Sequence, residues 1–410
     1  MTQAASRAVA ITAELTRVMQ ADRGRLLSAL TAQLRNLSLA EDVLQEATLS
    51  ALTHWGRTGL PASPQGWLLQ VARRKAIDRL RQTARATRNA ADLTLLAADE
   101  AEPEPEMIPD ERLRLIFTCC HPALEPKSQV ALTLRTLGGL STTAIAAAFL
   151  DNDTAIGARL TRAKAKIAAA GIPFAIPDPE AWPARLQSVL TVVYLIFTSG
   201  YVTATTDLAS EAIFLGRLLT QLAPNDPEIE GCLALLLITH ARHAARSRAG
   251  VTVALPDQDR TLWDHGAIAE GLALIDTAMS RRNPGPYQIK AAIAACHVQP
   301  GGPDWPQIVQ LYGGLLRHEP TPVVRLNHAV ALAEAGHLPT ALTLLAALGP
   351  DLDGFQPYHA ARAEYLTRQG DPAATTAYDR AIELATNPGD AAWLTARRDR
   401  PSGEKTKAAP

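Results

Sequence analysis

Two sets of cations stand out by type and spacing. The first is Arg73, Arg74, Lys75, Arg79, Arg81, Arg85 and Arg88, interrupted by one acid, Asp78. The second is Arg159, Arg162, Lys164 and Lys166. Guanidinium and ammonium groups repeated along a helix neutralise phosphates, so each set suits a nucleic-acid backbone. A third run has the opposite sign: Asp99, Glu100, Glu102, Glu104, Glu106, Asp110 and Glu111, with no cation among them. No nucleophile–base pattern, phosphate loop or glycine-rich cofactor fingerprint accompanies these sets, so no catalytic activity and no cofactor are expected. Cys119-Cys120-His121 has the composition of a metal fragment. Adjacent cysteines rarely chelate one ion, however, and no second cluster has ligand spacing, so buried structural cysteines are expected and no metal. His240 and His243, three residues apart with no acidic or cysteine partner nearby, read as structural.

The second cation set needs a helix that can enter a groove. It lies in LSTTAIAAAFLDNDTAIGARLTRAKAKI, Leu140 to Ile167. Ser141 is a good N-cap, and Ile145, Ala148 and Phe149 recur at helical spacing as a buried face. Asp151-Asn152-Asp153 breaks the pattern, and Asp153 can cap the next helix. That helix buries Ile156, Leu160, Ala163 and Ile167 and turns Arg159, Arg162 and Lys166 outward, with Lys164 near the edge. This is the sequence form of a helix-turn-helix. Its second helix would present N-terminal residues (Thr154, Ala155, Ala158) to base edges and its cations to phosphates. An ordinary helical hairpin with a solvated basic face is the alternative on this segment alone.

The first cation set needs a longer frame. Leu39 to Leu52 reads as an amphipathic helix with Val43, Leu44, Ala47 and Leu52 inward and Glu41, Asp42, Gln45 and Glu46 as an acidic polar face. A loop containing Trp55, Gly56, Gly59, Pro61 and Pro64 follows. The next helix starts near Gln65, carries Trp67, Leu68, Val71 and Ala72 as its core stripe, and then turns strongly basic. Trp67 suits either base stacking or core packing, and its place on the apolar stripe favours packing. Asp78, set among cations, is placed to orient Arg74 or Arg81. Pro103, Pro105 and Pro109 forbid a regular helix in the acidic run, which reads as an extended linker.

The 410 residues accommodate two or three domains, and 47% hydrophobic content with only 5% aromatics favours helices. Net charge is −1, so basic character is local, not global. Four cysteines without CxxC spacing, no signal-peptide core at the N-terminus and no apolar run longer than Val189–Phe197 point to the cytoplasm, without a membrane. Toward the C-terminus, Gly302, Gly336 and Gly370 stand 34 residues apart, the tetratricopeptide (TPR) period. NHAVALAEAGHLPTALTLLAAL (327–348) and YHAARAEYLTRQGDPAATTAYDRAIELATNP (358–388) are the clearest units. Such repeats stack into a curved surface that binds a protein segment. The expected class is therefore all-α: helical domains at 7–88 and 112–174 joined by an acidic linker at 89–111, a TPR-like helical domain at 180–396, and a disordered tail at 397–410.

In its order of parts the chain resembles an RNA polymerase sigma factor of the extracytoplasmic-function type. AEDVLQEATLSAL (40–52) looks like the region 2 helix that docks on the polymerase clamp. WLLQVARRKAIDRLR (67–81) is similar to the helix that melts and reads the minus-ten element. Leu140–Ile167 looks like region 4, which reads the minus-thirty-five element. RLRLIFTCCHPALEPKSQVALTLRTLGGL (112–140) and the helical tail resemble a subgroup with a C-terminal TPR extension. Three departures stand out: Ala158 replaces a Gln of the recognition helix, Ala144 replaces a Glu, and Thr198-Ser199-Gly200-Tyr201 replaces Asn-Glu-Gly-Tyr. Alanine at 158 offers a base only an apolar contact.

The resemblance implies polymerase contact through Asp42, Gln45 and Glu46. It implies DNA contact through Arg73, Arg74, Lys75, Arg79 and Arg81 and through Thr154, Ala155, Ala158, Arg159, Arg162, Lys164 and Lys166. Its partners would be RNA polymerase core, promoter DNA and a protein bound by the TPR-like domain. It also implies that the loop near Trp55–Pro64 forms a pocket for a base taken from the stack, and that the linker threads the basic RNA-exit channel. The 21 residues Asn89–Pro109 reach up to ~70 Å at about 3.3 Å each, enough for roughly 20 base pairs at ~3.4 Å per step. The competing reading is an autonomous helix-turn-helix regulator with a helical sensor domain, which leaves the basic helix and the acidic linker unused.

Overall fold

A computed structural model describes residues 3–87, 110–149, 151–199 and 208–399. Among the described residues the protein is all-α apart from one two-stranded hairpin, and it divides into two compact units, Met1–Leu222 and Ala223–Pro410. The linker at 89–109, the basic residues Arg85 and Arg88 as side chains, Gly200-Tyr201 and the tail from 400 onward lie outside what is described.

The first unit opens with α1 (Gln3–Ala21), α2 (Arg23–Leu34), α3 (Leu37–Thr58) and α4 (Pro64–Thr87). Asn36 starts α3 by accepting the Leu39 N–H at 3.0 Å. The apolar stripe of α3 continues past Leu52 to Trp55, which is fully buried. Trp55 and Gly56 therefore belong to the helix, not to the loop expected from sequence, because burying an indole outweighs the glycine beside it. Leu52, expected inward, is 43% exposed. Ser63 caps α4 through the Gly66 N–H at 3.1 Å, with Pro64 in the first helical position, where its missing N–H costs nothing. Leu26, Leu30, Val43, Leu44, Leu68 and Leu69 fill the centre of this four-helix group.

The same unit continues with α5 (Arg112–Cys119), α6 (Pro126–Thr136), α7 (Thr142–Ala148), α8 (Asp153–Ala169), α9 (Trp182–Ser199) and α10 (Leu208–Leu222). The proline-rich stretch after 173 reads in sequence as a boundary, yet α9 packs back onto α5 and α6. Arg185 donates to the Phe117 carbonyl at 2.6 Å, and the Trp182 and Phe117 rings meet at 5.1 Å.

The second unit begins with α11 (Pro227–His240), a short hairpin of β1 (Ser247–Arg248) antiparallel to β2 (Val251–Thr252), α12 (His265–Met279) and α13 (Pro286–His297). It continues as α14 (Trp305–His318), α15 (Pro322–Glu334), α16 (Leu338–Ala347), α17 (Gly349–Leu352), α18 (Gln356–Gln369), α19 (Ala373–Glu383) and α20 (Pro388–Arg398). Successive antiparallel pairs carry successive small cores, centred on Ile308, on Leu345 and on Ala381. The three glycines spaced by 34 hold φ of +93°, +93° and +80°, the left-handed region that lets the chain reverse between helices. His240 and His243 stack ring on ring at 5.4 Å, close to the end of α11.

Candidate nucleic-acid interface

The two cation-bearing helices, α4 and α8, belong to the same unit, and α3 is the element each of them touches through charge. On one side, Arg79 of α4 pairs with Asp42 at 3.1 Å and makes a short contact with Glu46, while Lys75 lies 3.6 Å from Glu46. Arg73 donates to Gln33 of α2 at 2.8 Å. The acids and cations assigned separately from sequence thus meet in a surface lattice. Gln45 is exposed beside it. Arg74 is exposed and has no ion pair among the described residues, whereas Arg81 is half-buried. Asp78 is exposed and, among the described residues, pairs with neither Arg74 nor Arg81.

Trp67 is half-buried: its ring stacks on His54 at 5.4 Å and meets the edge of Trp55 at the same distance. Beside this aromatic group lies a cavity of about 580 Å³ lined by Glu46, Leu49, Ser50, Thr53, His54, Arg57 and Lys75. Leu49, on its rim, is 59% exposed, more than any other large apolar side chain in the described residues.

In the helix-turn-helix, Ser141 accepts the Ala144 N–H at 3.0 Å, as its position predicts. The cap of α8 is Asn152, not Asp153: the Asn152 side chain accepts the Ala155 N–H at 2.8 Å. Asp153 instead takes the Thr143 hydroxyl at 2.5 Å, tying α8 to α7. Ile145, Ile156, Leu160, Ala163 and Ile167 are buried as the periodicity requires, while Phe149 is half-buried. Thr154, Arg162 and Lys166 are exposed, and Ala155 and Ala158 are partly so. Arg159 folds back to Asp151 at 3.2 Å. The Asn152 backbone N–H, followed by Arg159, holds the Asp151 carboxyl below the usual carboxylate range.

Glu41 departs from the expected face. It is buried, although its neighbour Asp42 is exposed. Its carboxylate accepts from three cations on three elements: Arg23 of α2 at 3.0 Å, Arg135 of α6 at 3.1 Å and Lys164 of α8 at 3.0 Å. Burial opposes ionisation of Glu41, but Lys164, Arg23 and Arg135 together outweigh it and hold the carboxyl below its usual value. Arg23 is pulled down by burial and then by Arg135 beside it, only partly offset by Glu41. An arginine stays charged through such a shift, so the cluster is one anion among three cations. Arg135 also donates to the Leu140 carbonyl at 3.1 Å, just ahead of α7.

Sequence reading missed this cluster, although a signal for it was present. Glu41 falls four residues after Leu37 and three before Leu44, both buried, so it sits on the stripe and not opposite it.

The thiols of Cys119 and Cys120 are fully buried, 3.4 Å from the Thr136 hydroxyl and 3.5 Å from the Thr133 hydroxyl. Burial pushes the Cys120 thiol up to about 12 and Cys119 higher still. Among the described residues no group of three or more His, Cys, Asp or Glu side chains is placed to hold a metal ion, and no helix is long and apolar enough to cross a membrane.

Residues 18–86 match the Sigma-70 region 2 family, and residues 185–279 match a family of unknown function, DUF6596. The second stretch begins in the first unit and ends in the second. The chain is 44% identical over 399 residues to an uncharacterized protein of Rhizobium meliloti (strain 1021), covering 93% of this chain and 94% of that protein. The region 2 match runs from the last turn of α1 to the last turn of α4, and so takes in the whole lattice of α3 and α4 described above. By this match, the N-terminal helices of the chain, residues 18–86, form a Sigma-70 region 2 domain.

Proposed function

We propose that the chain is a sigma factor of the extracytoplasmic-function type, which directs bacterial RNA polymerase core to specific promoters and starts transcription there. The observation that carries this reading is the pairing of α3 and α4. One helix offers acids, Gln45 and the exposed Leu49 to a protein surface; the other carries cations rigidly beside them. In this reading Asp42, Gln45 and Glu46, with the cavity along Leu49, meet the polymerase clamp. Arg73, Arg74, Lys75, Arg79 and Arg81 hold the DNA strand being opened near the minus-ten element. The packing of Trp67 on His54 and Trp55 supports a framework role for that ring, leaving Arg74 as the exposed contact. The α7–α8 pair is region 4, with Thr154, Ala155 and Ala158 at base edges and Arg159, Arg162, Lys164 and Lys166 on phosphates near the minus-thirty-five element. The helical pairs of the second unit form a TPR-like regulatory domain that binds a protein partner.

Run-off transcription with core polymerase tests the reading. Promoter-dependent transcripts are expected only when this chain is added. Tight duplex binding without core, and no such transcript, would make it an autonomous regulator instead. Arg74→Ala combined with Lys75→Ala should impair promoter opening more than core binding, as permanganate footprinting reads. Equal loss of both would remove α4 from the DNA-melting role. Deletion from Ala223 onward, at the division between the units, should change activity while core binding persists.

A further inference from the structure

The second unit holds a cavity far in sequence from every residue given to polymerase or DNA. It measures about 450 Å³, within the roughly 300–1,000 Å³ of small-ligand pockets. Its walls come from one stretch of the helical array: Leu316 on α14, Arg325 and His328 on α15, Leu344 and Ala347 on α16, and Asp351 on α17. Pro320 and Leu348 complete the apolar lining. The sequence accounts for the space. α16 is only 10 residues long, and Gly349-Pro350 then opens the separate 4-residue α17. Its last turn offers an alanine at 347, too small to fill the gap beside α15, and Leu344 stays 38% exposed although apolar. Three polar side chains stand in this apolar frame. Arg325 and His328 lie three residues apart on α15 and so share one face. Asp351 enters from α17. Arg325 and Asp351 border the same cavity, yet among the described residues neither makes an ion pair. His328 is half-buried, and its ring has no hydrogen-bond partner among the described residues. Burial holds it below the usual histidine range, so at neutral pH the uncharged ring offers one donor and one acceptor.

We propose that this cavity binds a small zwitterion with an apolar body: a free apolar amino acid, or a short peptide of such residues with both ends free. The carboxylate goes to Arg325, whose forked donors match two carboxylate oxygens, and His328 donates beside it. The ammonium goes to Asp351. The apolar body lies against Leu316, Leu344 and Ala347 and takes the exposed leucine out of water. Charge decides between ligand classes. One cation, one acid and a neutral ring make a site with no net charge and two separated poles. A phosphate or a dicarboxylate would set a second anion against Asp351. A fatty acid would bury Asp351 without a partner, which costs free energy. The C-terminus of a folded protein brings a carboxylate without the ammonium. A molecule that carries both charges satisfies both poles. The proposal rests on the second unit alone, goes beyond its assignment as a protein-binding array, and holds whether or not the chain is a sigma factor.

Isothermal titration calorimetry on the full chain tests this, with L-leucine, L-phenylalanine and the dipeptide Leu-Leu as probes. One site per chain is expected for at least one of them. Binding of a free amino acid or of the dipeptide supports the proposal, and the tighter of the two names the source. Octanoate keeps the carboxylate and hexylamine the ammonium; each should bind more weakly than the best zwitterion by about tenfold or more, the scale of one lost charge-assisted hydrogen bond. Arg325→Gln and Asp351→Asn should each weaken the zwitterion by a similar factor. Both side chains are exposed, so helicity by circular dichroism should not change. Ala347→Trp fills the cavity and should abolish binding; if that variant loses helicity, the two charge variants decide. No binding of any of the three probes at millimolar concentration would overturn the proposal. So would octanoate or hexylamine binding as tightly as the zwitterions, or affinity left unchanged in folded Arg325→Gln or Asp351→Asn.

Discussion

Adjacent residues on α3 enter two ion clusters of different kinds. Glu41 has a side chain 9% exposed, while Asp42 is 59% and Glu46 34% exposed. The chemistry is the same in both: carboxylates facing arginine and lysine at about 3 Å. Solvent separates their consequences. Asp42, Glu46, Arg79 and Lys75 keep access to water, so each pair is weak, and either partner can exchange it for another contact at little cost. Glu41, Arg23, Arg135 and Lys164 have given up much of their hydration, and removing one member strands the others. One helix therefore carries weak, exchangeable surface pairs beside a buried cluster whose members depend on one another.

The widest gap between the clusters should appear on removing Glu41. Glu41→Gln should destabilise the first unit by about 3–5 kcal/mol, the usual cost of breaking a buried pair from one side, read by urea unfolding. A loss under about 1 kcal/mol would put Glu41 in the same class as Asp42. Acid should sharpen the contrast next. The folded Glu41 carboxyl lies below its unfolded value, so its contribution is complete above an unfolded pKa of about 4.3 and disappears as pH falls through the lower folded one. Unfolding free energies measured downward from about pH 6 should fall more steeply in that window for the wild type than for Glu41→Gln; parallel curves would show that Glu41 does not dominate the acid response. The smallest effect on stability belongs to the surface. Asp42→Asn with Glu46→Gln should change unfolding free energy by at most ~1 kcal/mol while weakening core binding about tenfold, equivalent to ~1.4 kcal/mol. Stability lost without a change in affinity would make the lattice structural and remove it from the polymerase contact.

Local signals were the most legible in sequence. Ser141 could be placed as a cap, the alternation of Ile156, Leu160, Ala163 and Ile167 defined the buried side of α8, and three glycines at equal spacing marked turns that the fold places at positive φ. Each depends on neighbours within a turn or two. Competition between adjacent groups was less legible: Asn152 and Asp153 can both cap a helix, and the Thr143 hydroxyl on the previous helix takes Asp153 out of contention. The extent of α3 is less legible: Gly56 reads as a break, and only the burial of Trp55 shows why the helix continues. The Glu41 cluster joins residues 23, 41, 135 and 164, and no local pattern announces a partner more than a hundred residues away. Only the position of Glu41 between Leu37 and Leu44 hinted that it lay inside.

The turns at Gly302, Gly336 and Gly370 carry a consequence for how this protein can change over generations. A Cβ placed at any of the three would meet nothing within 4 Å, so crowding does not forbid a side chain there; the φ alone selects against one. Asparagine tolerates that conformation better than other residues, and an added residue or two in an open turn leaves the packed faces on either side in register. Such sites let a lineage redraw the rim of its helical array one turn at a time without rebuilding the core beneath it.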